Sequence, residues 1–304
     1  MTLPTAVTLV EVGPRDGLQN ESRTVALGDK LELLNRLAQT GLQTIETGSF
    51  VSPKWVPQMA DTAALFAALK PVDGVRYTAL VPNERGLDDA IASGVEEVAL
   101  FAATTESFSQ KNTNCSVARS LDNCATIARR AMEHDMRVRG YLSCVLGCPY
   151  EGTVAPLTVA DLTRQLLDLG CYEVSLGDTI GVGTAGSTAE MLMALQHANI
   201  DMPKLAIHCH DTYGQAIANI LVALQYGIST IDASVAGLGG CPYAQGATGN
   251  VATEDVVYLL NGLGITHGVD LHKLIDAGEF ISTAINRPNQ SSVARAVIAK
   301  RNNQ

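Results

Sequence analysis

The 304-residue chain has few basic residues, few aromatic side chains and no long apolar run. Lys and Arg number 21 against 31 Asp and Glu, the formal net charge is −10, and aromatic residues make up 5% of the chain. Sequence-independent binding to nucleic acid requires a basic stripe, and no Lys/Arg cluster is present. No segment approaches the roughly 20 uninterrupted apolar residues of a membrane-spanning helix. We therefore expect neither a nucleic-acid partner nor a membrane partner.

A disulfide framework and a targeting segment are also missing. The seven cysteines are odd in number, none forms a Cys-x-x-Cys pair, and the apolar sequence that starts at Val7 is not preceded by a charged or cleavable segment. These features predict free thiols in a reducing cytoplasm. Cys144 and Cys148 have a spacing that suggests zinc, but no second pair supports a structural zinc site.

What the chain does contain is an alternation of short β-rich runs with longer amphipathic stretches, repeated eight times. The predicted strands are 7–12, 44–50, 76–81, 97–102, 137–144, 173–178, 205–210 and 230–235. Apolar residues recur at helical spacing between them, as in 28–40, 87–93, 120–134, 158–169 and 215–226. This pattern predicts an α/β fold of the (β/α)8 TIM-barrel type. The alternative, a doubly wound sheet, lacks a Gly-x-Gly-x-x-Gly sequence after the first strand.

The domain prediction is a single catalytic barrel over residues 1–304. More helix is predicted after the eighth strand, at 254–263 and 271–287, and we interpret 264–304 as a C-terminal helical extension of the same domain. The last few residues are expected to fray.

Polar residues collect where the predicted strands end, which is where a barrel builds its active site. His208 and His210 are two residues apart on the seventh strand, so both rings are expected to point into the barrel. Asp16 follows the first strand and Asn250 follows the eighth, close to the seventh in a closed barrel. Two nitrogens with carboxylate and amide oxygens suit Mg²⁺ or Mn²⁺, with Zn²⁺ as an alternative. The competing interpretation is a pair of hydrogen-bonded core histidines.

Other charged residues are predicted near the same end of the barrel. At the barrel mouth, Arg15 is suited to stabilise a carbonyl oxygen that gains negative charge. Glu46 and Asp178 lie on apolar strands and require partners, either in the site or in structural ion pairs. Arg139 on the fifth strand is a candidate for one of those partners and for substrate binding.

Two loops complete the predicted site. Cys241 lies in the glycine-rich segment 237–250, on a Gly-Cys-Pro turn, and a thiol on such a loop is predicted to be reactive rather than structural. Lys111 and Asn112 lie in the polar segment 107–114, which we expect to be a loop that binds the phosphate or pantetheine group of a long substrate. A solvated loop without a role is the alternative.

These residues belong to motifs through which the chain resembles the 3-hydroxy-3-methylglutaryl-CoA lyases, part of a barrel family that also holds the isopropylmalate, homocitrate and citramalate synthases. The motifs are VGPRDGLQNE (12–21), SFVSPKWVPQM (49–59), SLGDTIGVGT (175–184), HCHDTYGQ (208–215) and GLGGCPYA (237–244). The synthases carry a Gly-Glu-Arg-type sequence in place of the cysteine loop, so that loop is the most specific feature. Glu-Thr-Gly-Ser-Phe at 46–50 departs slightly from the expected Glu-Val-Thr-Ser-Phe.

The resemblance implies cleavage of 3-hydroxy-3-methylglutaryl-CoA to acetyl-CoA and acetoacetate, helped by Mg²⁺ or Mn²⁺. By the same resemblance, Asp16, His208, His210 and Asn250 correspond to metal ligands. Arg15 corresponds to the group that stabilises the thioester enolate, and Cys241 to the catalytic thiol. His208 is also a candidate for relaying the hydroxyl proton.

The predicted partner is an acyl-CoA. The sequence does not determine the oligomeric state, and a homodimer is one option because barrels of this size commonly pair. The chain starts close to the first strand and ends Asn-Asn-Gln, from which we expect a bacterial cytoplasmic enzyme.

Three other functions stay open from the sequence: a lyase for a longer-branched 3-hydroxyglutaryl-CoA, a condensing acyltransferase, and a non-catalytic acyl-CoA binding protein. The cysteine loop and the lack of a regulatory domain disfavour the second function. The complete set of ligand candidates disfavours the third.

Overall fold

The computed structural model describes residues 3–21, 23–240 and 249–301. Its strands are all parallel and close into a barrel in chain order, with the first strand paired to the last. The strands are β1 (Thr8–Glu11), β2 (Thr44–Ser49), β3 (Arg76–Leu80), β4 (Glu97–Ala103), β5 (Arg137–Ser143), β6 (Val174–Asp178), β7 (Leu205–Cys209) and β8 (Thr230–Ala233). The predicted TIM barrel is confirmed.

Helices follow the strands and form the outer layer. They are α1 (Leu27–Ala38), α2 (Thr62–Ala68), α3 (Glu84–Ala92), α4 (Glu106–Thr113), α5 (Val117–Glu133), α6 (Pro156–Asp168), α7 (Ala185–His197), α8 (Ala216–Gln225), α9 (Thr253–Leu263), α10 (Leu271–Ile285) and α11 (Ser292–Arg301). α5 shows why such segments are helical. It buries Cys124, Ile127, Ala128 and Ala131 on one face, and the Ser116 side chain accepts a hydrogen bond from the Arg119 N–H at its start.

The main apolar core lies between the strands and the helices, where Val98, Leu142, Leu176 and Ile207 have almost no exposed surface. The inside of the barrel is different, because the small apolar cluster of Leu80, Ala99 and Tyr141 shares it with charged side chains. No helix within the described ranges is long and apolar enough to cross a bilayer.

One local prediction was wrong: the segment predicted as a polar loop at 107–114 is helix α4. Glu106 in its first turn and Lys111 in its last turn complement the helix dipole, and Asn114 ends the helix in a left-handed conformation with φ of 55°. The segment has few apolar residues, so the helical period was not visible in its hydrophobic pattern.

The described part of the C-terminal extension contains α10 and α11. α10 packs against α1 of the barrel layer. α11 was not predicted as a separate helix. The Asp255 carboxylate of α9 accepts hydrogen bonds from the Val293 N–H at 2.9 Å and the Ser292 N–H at 3.3 Å, so a partner on another helix stabilises its start. The assignment of the whole chain to one domain stays a prediction.

Candidate active site

Asp16, His208 and His210 converge at the carboxyl end of the barrel. Each offers one ligand atom to a group whose members all lie within 4.8 Å of one another. Asp16 Oδ2 is 4.0 Å from His208 Nε2 and 3.8 Å from His210 Nε2. Asn250 joins them, because its Nδ2 donates a hydrogen bond of 2.8 Å to the same carboxylate oxygen. The structure therefore brings together the four residues that were predicted as metal ligands.

A tight turn after β1 places Asp16 in this cluster. Residues Gly13–Gly17 form one π-helical turn, which begins with a hydrogen bond of 2.8 Å from the Gly13 N–H to the Glu11 carboxylate. A Cβ on Gly17 would lie 2.7 Å from Ser234 Oγ and 2.8 Å from Leu238 Cβ. Glycine is needed at 17 because the turn packs directly on the segment after β8, and this packing holds Asp16 towards β7.

Asp16 and His210 favour the protonation states that bind cations, whereas the pKa of His208 shifts in the opposite direction. Burial opposes ionisation of Asp16, but Arg15 and the two histidines outweigh it and hold the pKa of Asp16 well below its usual range. Burial and the neighbouring His208 lower the pKa of His210 to about 4, so its imidazole is neutral near pH 7. Burial lowers the pKa of His208, but the carboxylates of Asp232 and Asp16 outweigh burial, so the pKa is raised overall.

An unpartnered oxygen in the cluster fits a divalent cation. Asn250 Oδ1 is buried and has no hydrogen-bond partner in the described part of the chain. A buried acceptor without a partner costs on the order of 1–3 kcal/mol, which a bound cation would offset at the amide oxygen. Two imidazoles, a carboxylate and an amide oxygen form a donor set that suits Mg²⁺, Mn²⁺ or Zn²⁺.

Arg15 borders the cluster and is fixed by two carboxylates. Its Nε donates to Glu46 Oε2 at 2.6 Å and its Nη1 donates to Asp16 Oδ1 at 2.7 Å. Its guanidinium also lies 5.4 Å from the ring centre of Tyr141. Burial raises the pKa of Glu46 despite the opposing effect of Arg15, and Glu46 Oε1 has no hydrogen-bond partner among the described residues. The site thus holds a rigid positive charge next to the cluster.

Asp178 at the end of β6 positions a loop. Its carboxylate accepts hydrogen bonds from the Val182 N–H at 3.1 Å and the Gly183 N–H at 2.9 Å, while burial raises its pKa to about 6. These contacts order the segment between β6 and α7 beside the cluster.

Arg139 lies inside the barrel, and other protein groups engage its whole guanidinium. Its Nε donates to Glu173 at 2.7 Å, Nη2 donates to Asp232 at 2.7 Å, and Nη1 donates to the Tyr141 hydroxyl at 3.0 Å. Sequence reasoning named Arg139 but missed Asp232 and Glu173. The available signal was an acidic residue on an apolar strand, the same signal that singled out Glu46.

The remaining predicted residues lie at the periphery or outside the described part of the chain. Lys111 is on α4, with its Nζ 4.6 Å above the ring centre of Tyr150, and Asn112 is on the same helix. Cys241 lies outside the described residues. Two hydrogen bonds hold the segment that precedes it. Asn20 Nδ2 donates to the Gly240 carbonyl at 3.1 Å, and Arg287 Nη2 donates to the Gly239 carbonyl at 3.3 Å.

A closed parallel barrel with a cluster of this kind at the carboxyl ends of its strands defines an enzyme of the TIM-barrel class, with a site suited to a divalent cation. The family model described as HMGL-like matches residues 6–281. The chain belongs to this HMGL-like family.

Two curated relatives are similar over almost the whole chain. The 3-hydroxy-3-isohexenylglutaryl-CoA/hydroxy-methylglutaryl-CoA lyase of Pseudomonas aeruginosa is 57% identical over 99% of this chain and 100% of its own length. The mitochondrial hydroxymethylglutaryl-CoA lyase of Mus musculus is 55% identical over 97% of this chain and 90% of its own length.

Two solved structures show the same architecture. A hydroxymethylglutaryl-CoA lyase from Pseudomonas aeruginosa superposes with a TM-score of 0.96 at 57% identity, and covers 99% of this chain and 100% of that one. An HMG-CoA lyase from Acinetobacter baumannii, solved in complex with coenzyme A and 3-methylmalate, superposes with a TM-score of 0.92 at 30% identity. That match covers 97% of this chain and 96% of the other.

Proposed function

We propose that this chain is a carbon–carbon lyase that cleaves 3-hydroxy-3-methylglutaryl-CoA to acetyl-CoA and acetoacetate. The observation that carries the proposal is the convergence of Asp16, His208, His210 and Asn250 beside the fixed guanidinium of Arg15. The relatives with lyase names match nearly the full chain, which supports the same reaction class. The solved relative that holds coenzyme A supports an acyl-CoA substrate.

Asp16, His208, His210 and Asn250 are the residues that would hold the divalent cation, which we propose is Mg²⁺ or Mn²⁺. When bound, such a cation polarises the oxygen atoms of a hydroxy acid and lowers the pKa of the hydroxyl group. The neutral His210 and the ionised Asp16 are the protonation states that ligation requires.

We propose the following roles for the chain's own groups in the proton and charge movements of the reaction. His208 is the candidate for relaying the proton of the tertiary hydroxyl, through Nε2 and only while that nitrogen is not occupied as a cation ligand. The bond between C2 and C3 then breaks, C3 becomes the ketone carbon of acetoacetate, and the electron pair moves into the thioester as an enolate. Arg15 stabilises the enolate oxygen, and the Cys241 thiol donates the proton that converts the enolate carbon into the methyl group of acetyl-CoA. Lys111 and Asn112 are proposed to contact the CoA portion, and Glu46 and Asp178 to support the site. Arg139 is proposed to act through the residues it holds.

A longer-branched substrate is a second candidate. It is favoured by the 57% identity to a relative whose name pairs isohexenylglutaryl-CoA with hydroxymethylglutaryl-CoA. Comparison of kcat/KM for the methyl and isohexenyl substrates decides between them. A clear preference for the longer branch would overturn the proposed substrate while leaving the lyase reaction intact.

The primary experiment is a coupled assay for acetyl-CoA and acetoacetate, performed with Mg²⁺ and repeated after chelation. We expect cleavage with Mg²⁺ that chelation abolishes. No cleavage by folded protein supplied with Mg²⁺ or Mn²⁺ would overturn the proposal. Cys241→Ala should lower kcat by orders of magnitude, whereas Cys115→Ala, a half-buried thiol before α5, is the matched control and should retain activity.

Homodimerisation and a cytoplasmic location stay predictions. Analytical ultracentrifugation tests the first, and fractionation of a bacterial host tests the second.

A further inference from the structure

Asp232 occupies the centre of a buried network directly below the metal-ligand candidates. It lies on β8 with no exposed side-chain surface. Its Oδ1 accepts a hydrogen bond of 2.7 Å from Arg139 Nη2, and its Oδ2 accepts bonds from Ser175 Oγ at 2.7 Å and Arg139 Nη1 at 3.2 Å. His208 Nδ1 is buried, makes no hydrogen bond to another described group, and lies 3.4 Å from the same Oδ2. The carboxylate therefore connects the floor of the barrel with one candidate ligand.

The strand register produces this juxtaposition. His208 on β7 and Asp232 on β8 are aligned partners in neighbouring parallel strands, so their side chains point to the same face of the sheet. That face is the barrel interior, and β7 stands between β6 and β8. The two nitrogens of His208 consequently face different groups, with Nε2 towards Asp16 and Nδ1 towards Asp232.

We propose that Asp232 is a positioning residue for His208, keeping the imidazole in the tautomer with a proton on Nδ1 and the Nε2 lone pair directed at Asp16 and His210. The inference rests on the proposed function in taking His208 as a cation ligand. A histidine that binds a metal through one ring nitrogen usually donates a hydrogen bond from the other. A carboxylate that accepts this hydrogen bond fixes both the tautomer and the orientation of the ring.

The network explains how Asp232 remains in place to do this. Arg139 has a second carboxylate partner in Glu173, so its position does not depend on Asp232 alone. Ser175 donates to the oxygen of Asp232 that faces His208. Arg139 donates to both oxygens of the Asp232 carboxylate, at 2.7 and 3.2 Å, so the carboxylate is fixed behind His208.

The first test measures Mn²⁺ affinity of the metal-free chain by calorimetric titration. Asp232→Asn should weaken Mn²⁺ binding by about 10- to 100-fold, the effect usual for removal of a group that orients a ligand. Glu97→Gln is the matched control. Glu97 is a buried carboxylate at the start of β4, paired with Arg137 at 3.3 Å, and this variant should bind Mn²⁺ like the unmodified chain. Unchanged affinity in Asp232→Asn would overturn the inference.

A double variant separates positioning from charge balance and covers the case in which Asp232→Asn fails to fold. Asp232→Asn with Arg139→Gln removes the ion pair between β5 and β8, so no guanidinium charge is left in excess. Glu173 then loses its Arg139 partner, and its side chain is 10% exposed to solvent. If Asp232 positions His208, the double variant still binds Mn²⁺ weakly. Recovery of normal affinity would show that Asp232 serves only to neutralise Arg139, and would overturn the inference.

A second readout is independent of any metal. Nitrogen NMR of the His208 imidazole in the metal-free chain at alkaline pH should show the proton on Nδ1. In Asp232→Asn or the double variant, both tautomers should appear. An unchanged tautomer would overturn the inference whatever the affinities are. If the unmodified chain fails to bind Mn²⁺ but shows the expected tautomer, the proposed function fails and the positioning of His208 stands.

Discussion

Arg15 is held between two acidic side chains, and this limits how the guanidinium can move. The bonds to Glu46 and Asp16, at 2.6 and 2.7 Å, use two different nitrogens, so the planar group is fixed in orientation as well as in position. Burial disfavours its charged form, but the two carboxylates outweigh burial and raise the pKa of Arg15 above its ordinary value. Arg15 is therefore permanently charged, as the role proposed for it at the enolate oxygen requires.

Arg15→Lys tests whether geometry or charge alone is required. Lysine keeps the positive charge but presents one nitrogen instead of a planar fork, and cannot reproduce both bonds. We expect kcat to fall by roughly 10²- to 10³-fold, as on loss of an oriented donor to a developing oxyanion. The measurement is steady-state cleavage of the proposed substrate, with thermal unfolding to verify the fold. Retention of normal kcat would contradict a role for the oriented guanidinium.

At the scale of elements, the two ends of the glycine-rich segment touch each other. A Cβ on Gly249 would lie 2.5 Å from the Gly239 carbonyl oxygen and 2.9 Å from that of Gly237. Gly239 has φ of 121°, a conformation that favours glycine. The close approach of these backbones places Asn250 beside Asp16, so the glycines at the base of the segment help to build the ligand cluster.

Gly249→Ala should therefore push Asn250 away from the cluster and weaken Mn²⁺ binding by about 10-fold or more, an effect of the size seen when ligands lose their orientation. Gly262→Ala is the matched control, because no atom lies within 4 Å of its added Cβ. Gly262 is inside helix α9, so alanine should stabilise the fold by about 0.5–1 kcal/mol and leave Mn²⁺ affinity unchanged. Equal Mn²⁺ affinities for both variants would contradict the close-packing argument.

Glu254 connects helix α9 with the turn after β8. Both of its carboxyl oxygens lie 3.0 Å from the Ala236 N–H, which donates to them, and Ala236 has a positive φ of 57°. Burial is the main cause that raises the pKa of Glu254 to about 8. The folded chain thus holds a proton that the unfolded chain, with the ordinary pKa of 4.5, releases.

The raised pKa of Glu254 determines the direction in which pH changes the stability of the fold. The folded state binds more protons than the unfolded state between the two pKa values, so the contribution of Glu254 to stability is lost as pH rises from 4.5 to about 8. Glu254→Gln should make the free energy of unfolding less dependent on pH across that range. Urea unfolding at several pH values measures this slope. Glu190→Gln, an exposed position on α7, serves as the control. An unchanged slope in Glu254→Gln would contradict the predicted shift.

At the scale of the whole molecule, the barrel collects buried charge along its axis. Arg15, Glu46, Arg139, His208 and Asp232 are all nearly inaccessible to solvent, although they come from strands and loops that are distant in the chain. Such charges are tolerated only in pairs, and one pair, Arg139 with Asp232, crosses the barrel between β5 and β8, which are not neighbours. The ligand cluster therefore exists only in the closed barrel.

A cation that binds only the folded chain should raise its thermal stability. At a free Mn²⁺ concentration 100 times Kd, the expected gain is about 2.7 kcal/mol, visible as a higher Tm in calorimetry. His210→Ala should remove most of this gain. His197→Ala, an exposed histidine at the end of α7, should keep it. The same Mn²⁺-induced rise in Tm for His210→Ala and the unmodified chain would exclude His210 from the ligand set.

The local pattern of apolar and polar residues predicted the strands and the candidate metal ligands. The eight strands appear where short apolar runs alternate with amphipathic stretches, because side-chain periodicity is a property of neighbouring residues. The predicted ligand candidates Asp16, His208, His210 and Asn250 do meet, because parallel strands in a closed barrel end at one rim. α4 escaped prediction since its helix depends on terminal charges and capping rather than on an apolar stripe.

The amino-acid sequence by itself determined the order of strands and helices, the family motifs and the polar residues that collect at the strand ends, because these depend on residues close together in the chain. Only the tertiary structure decided which charges pair. Arg139 was a candidate both as a partner for buried carboxylates and for substrate binding, and the structure shows its guanidinium bonded to Glu173, Tyr141 and Asp232. Asp232 became recognisable as a partner of His208 only through the register of β7 and β8. The physical reason is that a buried charge must be neutralised by whichever group the closed barrel places opposite it.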